Sequence, residues 1–211
     1  KIIRRELTRI GGKVEKAVSY SKDQTDFADE ISKLTGIDPE SLFKRKKSVE
    51  KEKVPVDFEA LFIPDSYPRV KMITSQLDFY KIKGFLLAGT SLWNSPNLLK
   101  NGAGYLEGAV FADSFFKDAL YPETREFVTS FVTVYNRGPE TIEALAFDTA
   151  GMIFSVLKNA NIKTRREFAA SLAKMGIYNG ATGIIYFDSD RVAKKTPFII
   201  RIKDGKFEQA Q

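Results

Sequence analysis

The sequence predicts an α/β protein with a largely parallel sheet and helices on both of its faces. Three short apolar segments, 56–63, 85–88 and 109–116, have the β-prone composition of strands buried on both sides. Between the first two lies a segment with apolar side chains at helical spacing from Val70 to Tyr80. Strands that alternate with helices in this way form parallel sheets, because each crossover helix returns the chain to the same edge.

The N-terminal segments extend the same pattern. A helix is predicted from Ile2 to Ile10, ended by Gly11-Gly12, and a strand from Val14 to Tyr20, where apolar and polar residues alternate. Asp26 is suited to cap a further helix that ends at Gly36.

The alternation stops after the third apolar segment, where three helices follow in succession. They are predicted at about 122–135, at about 140–160 and from a capping box at Thr164–Glu167 onward. Strands at 183–187 and 198–203 follow, and Asp204-Gly205 is a hairpin turn signal. These changes divide the chain into βα units at 1–110, a helical segment at 111–180 and terminal strands at 181–211.

Composition excludes several kinds of chemistry. The chain has 211 residues, 43% of them apolar, and contains neither Cys nor His. Disulfides, thiolate nucleophiles and His general bases are therefore absent, and no catalytic residue, metal ligand or cofactor is assigned. No apolar run is long enough to cross a membrane. Because Lys1 opens what reads as a helix, we expect the chain to be a mature or truncated piece of a longer protein.

The net charge of +6 does not indicate a nucleic-acid partner. Basic residues are scattered among acidic ones, and the densest group, Lys44–Lys47, belongs to a charged segment at about 41–55. Only Phe43 lies beside it, whereas nucleic-acid surfaces combine basic and aromatic side chains. A solvated loop is the expected structure there.

Two loops carry the candidate binding residues. Ligands of open α/β sheets bind at the carboxyl ends of the strands, and polar and aromatic side chains follow two of the predicted strands. Asp65 or Ser66 could instead cap the next helix, and Trp93 could simply cover the edge of the sheet. The predicted ligand-binding residues are Asp65, Ser66, Tyr67, Thr90, Ser91, Trp93 and Asn94.

Three other features have plainer interpretations. The glycine-rich segment Gly102–Gly108 precedes a strand instead of following one, which is the wrong context for a dinucleotide site. Asp188-Ser189-Asp190 lacks the remaining ligands of a calcium loop and is expected to form a turn. Asp148 lies in the middle of a helix, where it could face another domain, a hinge or solvent.

The order of these segments resembles the type I periplasmic binding proteins, the group of leucine/isoleucine/valine-binding and extracellular ligand-binding receptors. The segments that carry the resemblance are Gly11–Val14, Thr25–Phe27, Asp57–Asp65, Gly89–Asn94, Tyr105–Phe111, Phe147–Ala150 and Gly180–Asp188. The resemblance covers nearly the whole chain and rests on their order and spacing.

That resemblance implies two α/β lobes joined by three hinge crossings that close on a small ligand. This chain would supply most of the C-terminal lobe, together with helices that return to the N-terminal lobe. Some apolar surface on those helices would then lack its usual partner. The amino-acid binders of the family have an acidic residue near Ser91, so the serine here weakens the case for an amino-acid ligand. The charged segment and Asp190-Arg191 are also atypical.

The expected function is therefore that of a non-enzymatic, extracytoplasmic solute-binding protein. It would bind an amino-acid-like or other small polar ligand between two lobes for a membrane transporter or a sensor. An envelope lipoprotein that regulates a penicillin-binding protein is the alternative, favoured by the basic charge balance and by the charged segment. The expected location is the periplasm or cell envelope, with a lipid anchor on the full-length protein.

Overall fold

A computed structural model describes residues 2–38, 40–41, 56–100, 103–158 and 162–210. In chain order the strands are β1 (Ala60–Phe62), β2 (Leu86–Gly89), β3 (Val110–Asp113), β4 (Tyr178–Gly180), β5 (Gly183–Phe187), β6 (Ala193–Lys195), β7 (Phe198–Lys203) and β8 (Lys206–Gln209). The helices are α1 (Ile2–Arg9), α2 (Ala28–Thr35), α3 (Tyr67–Phe79), α4 (Pro96–Leu99), α5 (Pro122–Tyr135), α6 (Thr141–Leu157) and α7 (Arg165–Ala173).

The larger sheet has five strands in the order β1-β2-β3-β7-β8. β1, β2 and β3 are parallel, as the βα pattern predicts, and β7 pairs antiparallel with β3. Asp204-Gly205 connects β7 to β8 in the predicted hairpin. The C-terminal hairpin therefore completes the sheet that the βα units begin.

Two separate cores stabilise the chain. The sheet core joins α2 and α3 to β2, β3 and β7 through fully buried side chains such as Ile31, Val70, Phe111 and Ile200. The helix core is smaller and joins α5, α6 and the turn between β4 and β5. Its buried members are Phe115, Phe127, Ala144 and Ala181. The change from one core to the other occurs just after β3, since Phe115 belongs to the helix core and Phe116 to the sheet core.

Two predicted strands differ from the structure. Val14–Tyr20 forms no strand among the described residues: it runs as an irregular segment in which only Val14, Val18 and Tyr20 are partly buried. Its alternation reflects this one-sided burial without a neighbouring strand to accept its backbone hydrogen bonds. The segment predicted at 109–116 ends as a strand at Asp113, because the Asp113 carboxylate accepts hydrogen bonds from the backbone N–H groups of Ser114 and Phe115 and turns the chain.

The short strands β4 and β6 were not predicted, and the other differences are in element ends. β1 occupies only residues 60–62 of the predicted 56–63, although the N–H of Ile63 still donates to Ala88 O at 2.9 Å. α3 begins at Tyr67 and ends at Phe79, well before Gly84. Residues 42–55 of the charged segment, Asn101 and Gly102 of the glycine-rich segment, and residues 159–161 lie outside the described residues.

Neither of two functional features occurs in the described part of the chain. Within it, no helix combines the length and hydrophobicity that a membrane span requires. In the same ranges, no group of three or more Asp or Glu side chains is arranged to hold a metal ion.

Candidate functional site

The carboxyl ends of β1, β2 and β3 lie side by side at one edge of the larger sheet. β1 leads through Ile63–Ser66 into α3, and β2 leads through Thr90 into a single 3-10 turn, Ser91–Trp93. The two loops are joined directly, since the indole N–H of Trp93 donates to Ile63 O at 3.1 Å. The topology therefore brings the two predicted binding loops together.

The Asp65 carboxylate is hydrogen-bonded to neighbouring residues of the protein. Its Oδ2 accepts from the hydroxyl of Tyr20 at 2.8 Å, and its Oδ1 accepts from the N–H of Ser66 at 2.6 Å and from the Ser66 hydroxyl at 3.3 Å. Nε of Arg69 lies 3.9 Å from Oδ2. Ser66 occupies the N-cap position of α3, but its side chain makes no capping bond, so the predicted capping role is not realised.

Ionisation of Asp65 is favoured by these contacts. Burial alone would raise the pKa of Asp65, but the hydrogen bonds from Tyr20 and Ser66 and the charge of Arg69 outweigh it and lower that pKa. Burial and the neighbouring carboxylate raise the pKa of Tyr20 to about 12. The loop after β1 is thus organised around the Asp65 carboxylate, whose negative charge is stabilised by Tyr20, Ser66 and Arg69.

Arg69 holds this loop in place, and it was not identified from the sequence. Its guanidinium lies 6.0 Å from the ring centre of Tyr20 and 5.8 Å from that of Phe27, and it donates to the backbone oxygen of Gln24. The spacing of four residues between Asp65 and Arg69, at the start of a predicted helix, is the only sequence signal that could have identified it. Tyr20 gives no comparable signal, since it is distant in the chain.

Thr90 presents an unusual hydroxyl at the end of β2. Its Oγ1 is buried and has no hydrogen-bond partner among the described residues, whereas Ser91 beside it is exposed. Most buried polar atoms in proteins are hydrogen-bonded, so an unpartnered hydroxyl at a strand edge needs an explanation. Tyr67, the half-buried first residue of α3, packs against the sheet core.

Trp93 belongs to the sheet core. Its side chain is 0% exposed, and its indole lies directly against the Cα of Gly89, where an added methyl group would overlap the ring. In this conformation no part of the indole is available to a ligand. The structure therefore favours the plainer of the two interpretations of Trp93 and shows why β2 ends in glycine.

Asn94 is tied to the end of β3. Its Nδ2 donates to Oδ2 of the buried Asp113 at 2.8 Å, so the loop after β2 is fixed to the neighbouring strand. Asp113 was not identified from the sequence.

Asp148 joins two of the segments that carry the family resemblance. It is 1% exposed on α6, and its carboxylate accepts from the N–H of Ala181 at 2.6 Å, from the N–H of Thr182 at 2.9 Å and from the Thr182 hydroxyl. Gly180 makes room for this contact, because a Cβ there would lie 2.5 Å from Cγ of Asp148. Of the three possibilities left open for Asp148, the structure excludes solvent.

Comparison with known proteins agrees with the fold. A sequence model described as "Periplasmic binding protein" matches residues 70–206, more than half of the chain. The chain belongs to this family. Its structural neighbours have the same fold, the type I fold that the order of segments implied.

Solved structures superpose over nearly all of the chain. A Rhodospirillum rubrum protein described as a branched-chain amino acid ABC transporter matches with a TM-score of 0.82 and 22% identity, over 98% of this chain and 55% of its own. The leucine-binding protein LivK of Thermotoga maritima gives 0.66 and 22%, over 98% and 53%. LivJ of Streptococcus pneumoniae, solved with isoleucine, gives 0.62 and 24%, over 93% and 51%.

The chain thus spans about half the length of these structures. At such identities the similarity shows the fold alone. No protein with a curated description matches the chain.

Proposed function

We propose that the chain binds a small polar solute at the carboxyl edge of β1 and β2, as one wall of a cleft closed by a second lobe. The single observation that carries this proposal is the Thr90 hydroxyl, which is buried at that edge and has no hydrogen-bond partner in the described part of the chain. A buried hydroxyl without a hydrogen bond costs about 1–3 kcal/mol. A bound solute, or a water molecule held by it, would supply the missing partner.

The seven predicted residues then divide by role. Ser66, Tyr67, Thr90 and Ser91 are the proposed contacts, because each has a polar group at the edge and none is fully buried. Asp65 and Asn94 position the loops through the hydrogen bonds described above, and Trp93 supports both loops from the core. Hydroxyl groups of this kind suit a neutral or carboxylate-bearing solute.

We further propose that the solute is delivered to a membrane transporter or sensor. The basis is family membership together with the structural neighbours, which are described as substrate-binding proteins of ABC transporters. The family implies an extracytoplasmic location and binding without catalysis, and a lipid anchor on the full-length protein remains part of the proposal. Regulation of a penicillin-binding protein rested on the basic charge balance and on the charged segment. Most of that segment lies outside the described residues, and no described contact favours this alternative.

The substitution Thr90→Val tests the site. Valine keeps the shape of threonine but removes the unpartnered hydroxyl, so the ligand-free protein should unfold at the same temperature or slightly higher. Affinity for the ligand should fall about tenfold, the equivalent of one hydrogen bond. A thermal-shift screen of amino acids and small carboxylates on the full-length protein identifies the ligand, and calorimetry measures the loss.

Thr74→Val is the matched control. Thr74 is also a buried threonine, but its hydroxyl donates to Val70 O at 2.8 Å, away from the strand edge. This substitution should lower stability and leave ligand affinity unchanged. Unchanged affinity in Thr90→Val and in Ser91→Ala would refute the proposed site.

A further inference from the structure

The chain passes from the sheet core to the helix core directly after β3. Asp113 ends β3, and residues 114–116 follow it as the connecting segment. Within this segment Phe115 lies in the helix core and Phe116 in the sheet core. The Phe115 ring packs edge-on against Phe127 of α5, with the ring centres 6.0 Å apart. The connecting segment therefore ties the position of α5 to the end of β3.

The carboxylate of Asp113 binds both the connecting segment and the loop after β2. It is 4% exposed, and its Oδ1 accepts from the N–H of Ser114 at 2.6 Å and from the N–H of Phe115 at 3.4 Å. Its Oδ2 accepts from Nδ2 of Asn94 at 2.8 Å. A buried carboxylate is costly unless it is hydrogen-bonded, and here its donors come from two segments that are distant in the chain.

Asn94 is hydrogen-bonded in two directions. Its backbone N–H donates to Ser91 O at 3.0 Å and so closes the 3-10 turn after β2. Its side-chain Nδ2 donates to Asp113 and lies 3.5 Å from Phe115 O. Both atoms that face Nδ2 are acceptors, and a primary amide has two N–H groups to donate. An aspartate of the same shape would place oxygen atoms against oxygen atoms.

We propose that Asn94 is a positioning residue that holds the loop 90–94 to the connecting segment, so that the two move as one unit. The link also deepens the proposed function and in this part rests on it, since Thr90 and Ser91 are the proposed solute contacts. A solute that fixes the turn would fix the connecting segment and the position of α5 as well. By linkage, the position of the helix core would change the affinity for the solute by the same factor.

Hydrogen exchange of the full-length protein tests the link without any ligand. Asn94→Ala removes both side-chain N–H donors, so amide exchange should speed at least about tenfold in 91–94 and in 114–116 together. Exchange in α2 and α7 should stay within about twofold. An increase confined to 91–94, or one spread evenly over the protein, would overturn the proposal.

Asn94→Asp separates the loss of the donors from the loss of packing. It keeps the shape of Asn94, but at neutral pH it offers no side-chain N–H group and adds a negative charge beside Asp113. Exchange in both segments should therefore rise at least as much as in Asn94→Ala. An increase in Asn94→Ala without one in Asn94→Asp would show that packing holds the loop, and would contradict the proposal.

Asn97→Ala is the matched control. Asn97 is the next asparagine along the chain and is exposed on α4, so exchange in both segments should stay within about twofold. Asn94→Ser keeps the test decisive if Asn94→Ala unfolds, because it retains one donor on a shorter side chain. It should raise exchange in both segments together by a smaller factor, and an increase in only one of them would count against the link.

Isoleucine, the solute in the LivJ structure, is the probe for the part that rests on the proposed function. In the unaltered protein, saturating isoleucine should slow exchange at least about threefold in 90–94 and in 114–116. In Asn94→Ala it should slow exchange only at 90–91, and slowing that persists at 114–116 would contradict the coupling. If isoleucine slows exchange in neither segment of the unaltered protein, binding of this solute at the site is refuted, and the link measured without ligand stands.

Discussion

At the residue scale, several polar side chains of the candidate site form hydrogen bonds with other residues of the protein and are not free to contact a ligand. Asp65 was predicted as a ligand contact from its place after a strand, and the structure shows it satisfied by Tyr20, Ser66 and Arg69. Sequence order could locate the loop but could not reveal this arrangement, because Tyr20 comes from a distant segment without regular structure. A sequence motif can locate the loop that carries Asp65. Whether the Asp65 carboxylate is available to a ligand depends on residues that only the fold brings next to it.

The Tyr20–Asp65 pair predicts a specific pH dependence. Because the pKa of Tyr20 is raised to about 12, its contribution to stability is complete below its ordinary value of 10.0 and is lost as the pH rises towards 12. The pKa of Asp65 is lowered, so its contribution is complete above its ordinary value and is lost as the pH falls below it. Tyr20→Phe should cost about 1 kcal/mol at neutral pH and should weaken both dependences.

Urea unfolding at a series of pH values measures this change. Tyr186→Phe serves as the control, since that ring is exposed on β5. Part of the alkaline dependence should survive in Tyr20→Phe, because burial also raises the pKa of Tyr80, Tyr121 and Tyr178. If both profiles of Tyr20→Phe match those of the unaltered protein, the hydrogen bond contributes nothing to stability.

At the element scale, local signals were reliable where one segment satisfies its own backbone. The capping box of α7 was predicted from four consecutive residues and is confirmed, since the Thr164 hydroxyl accepts from the N–H of Glu167 at 3.2 Å and the Glu167 carboxylate accepts from the N–H of Thr164 at 2.9 Å. The strand predicted at 14–20 failed because a strand needs a neighbour, and alternation within one segment does not supply it. A helix start with a local capping motif was thus more predictable than the pairing of this segment.

Thr164→Ala tests the strength of this cap. Loss of the hydroxyl leaves an N–H group at the start of α7 without its acceptor, so unfolding free energy should fall by about 1 kcal/mol. Thr133→Ala, an exposed threonine inside α5, should change it by less than about 0.5 kcal/mol. Urea unfolding with circular dichroism measures both, and equal effects in the two variants would show that the cap adds nothing.

At the scale of the whole molecule, the sequence predicted the α/β class and the parallel strands but not the way in which the two cores meet. Asp113 fixes the end of β3 and Asp148 fixes the turn between β4 and β5, and these two residues are far apart in the chain and belong to no common motif. Charged residues scattered along a sequence are ordinarily exposed, so their burial here could not be inferred from type alone. The division at 1–110, 111–180 and 181–211 stays a prediction, although the cores change within a few residues of its first boundary.

The helical layer leaves apolar side chains exposed. On α5 and α6 these are Val132, Val134, Tyr135, Ile142, Phe147, Ile153, Phe154 and Leu157. Exposed apolar groups of this extent mark contact surfaces. Because the structural relatives are about twice as long as the chain, we expect the additional lobe to pack on this face.

The 211-residue chain on its own should therefore self-associate at micromolar concentration. Ile142→Glu/Phe154→Glu should weaken that association at least about tenfold in sedimentation experiments, with little loss of thermal stability, because both side chains are mostly solvent-exposed. Ile177→Glu alters an equally exposed side chain outside α5 and α6 and should have little effect. Association that persists in the double variant would locate the contact elsewhere.

The C-terminal hairpin also constrains the order in which the protein can fold during synthesis. β7 and β8 leave the ribosome after the helices of the described ranges, yet β7 pairs with β3 and places Ile200 and Ile202 in the sheet core. Until β7 is synthesised, the βα units therefore have an unpaired edge at β3. That edge is open to strand pairing with other molecules. Nascent chains of this protein should depend on chaperones until the hairpin arrives.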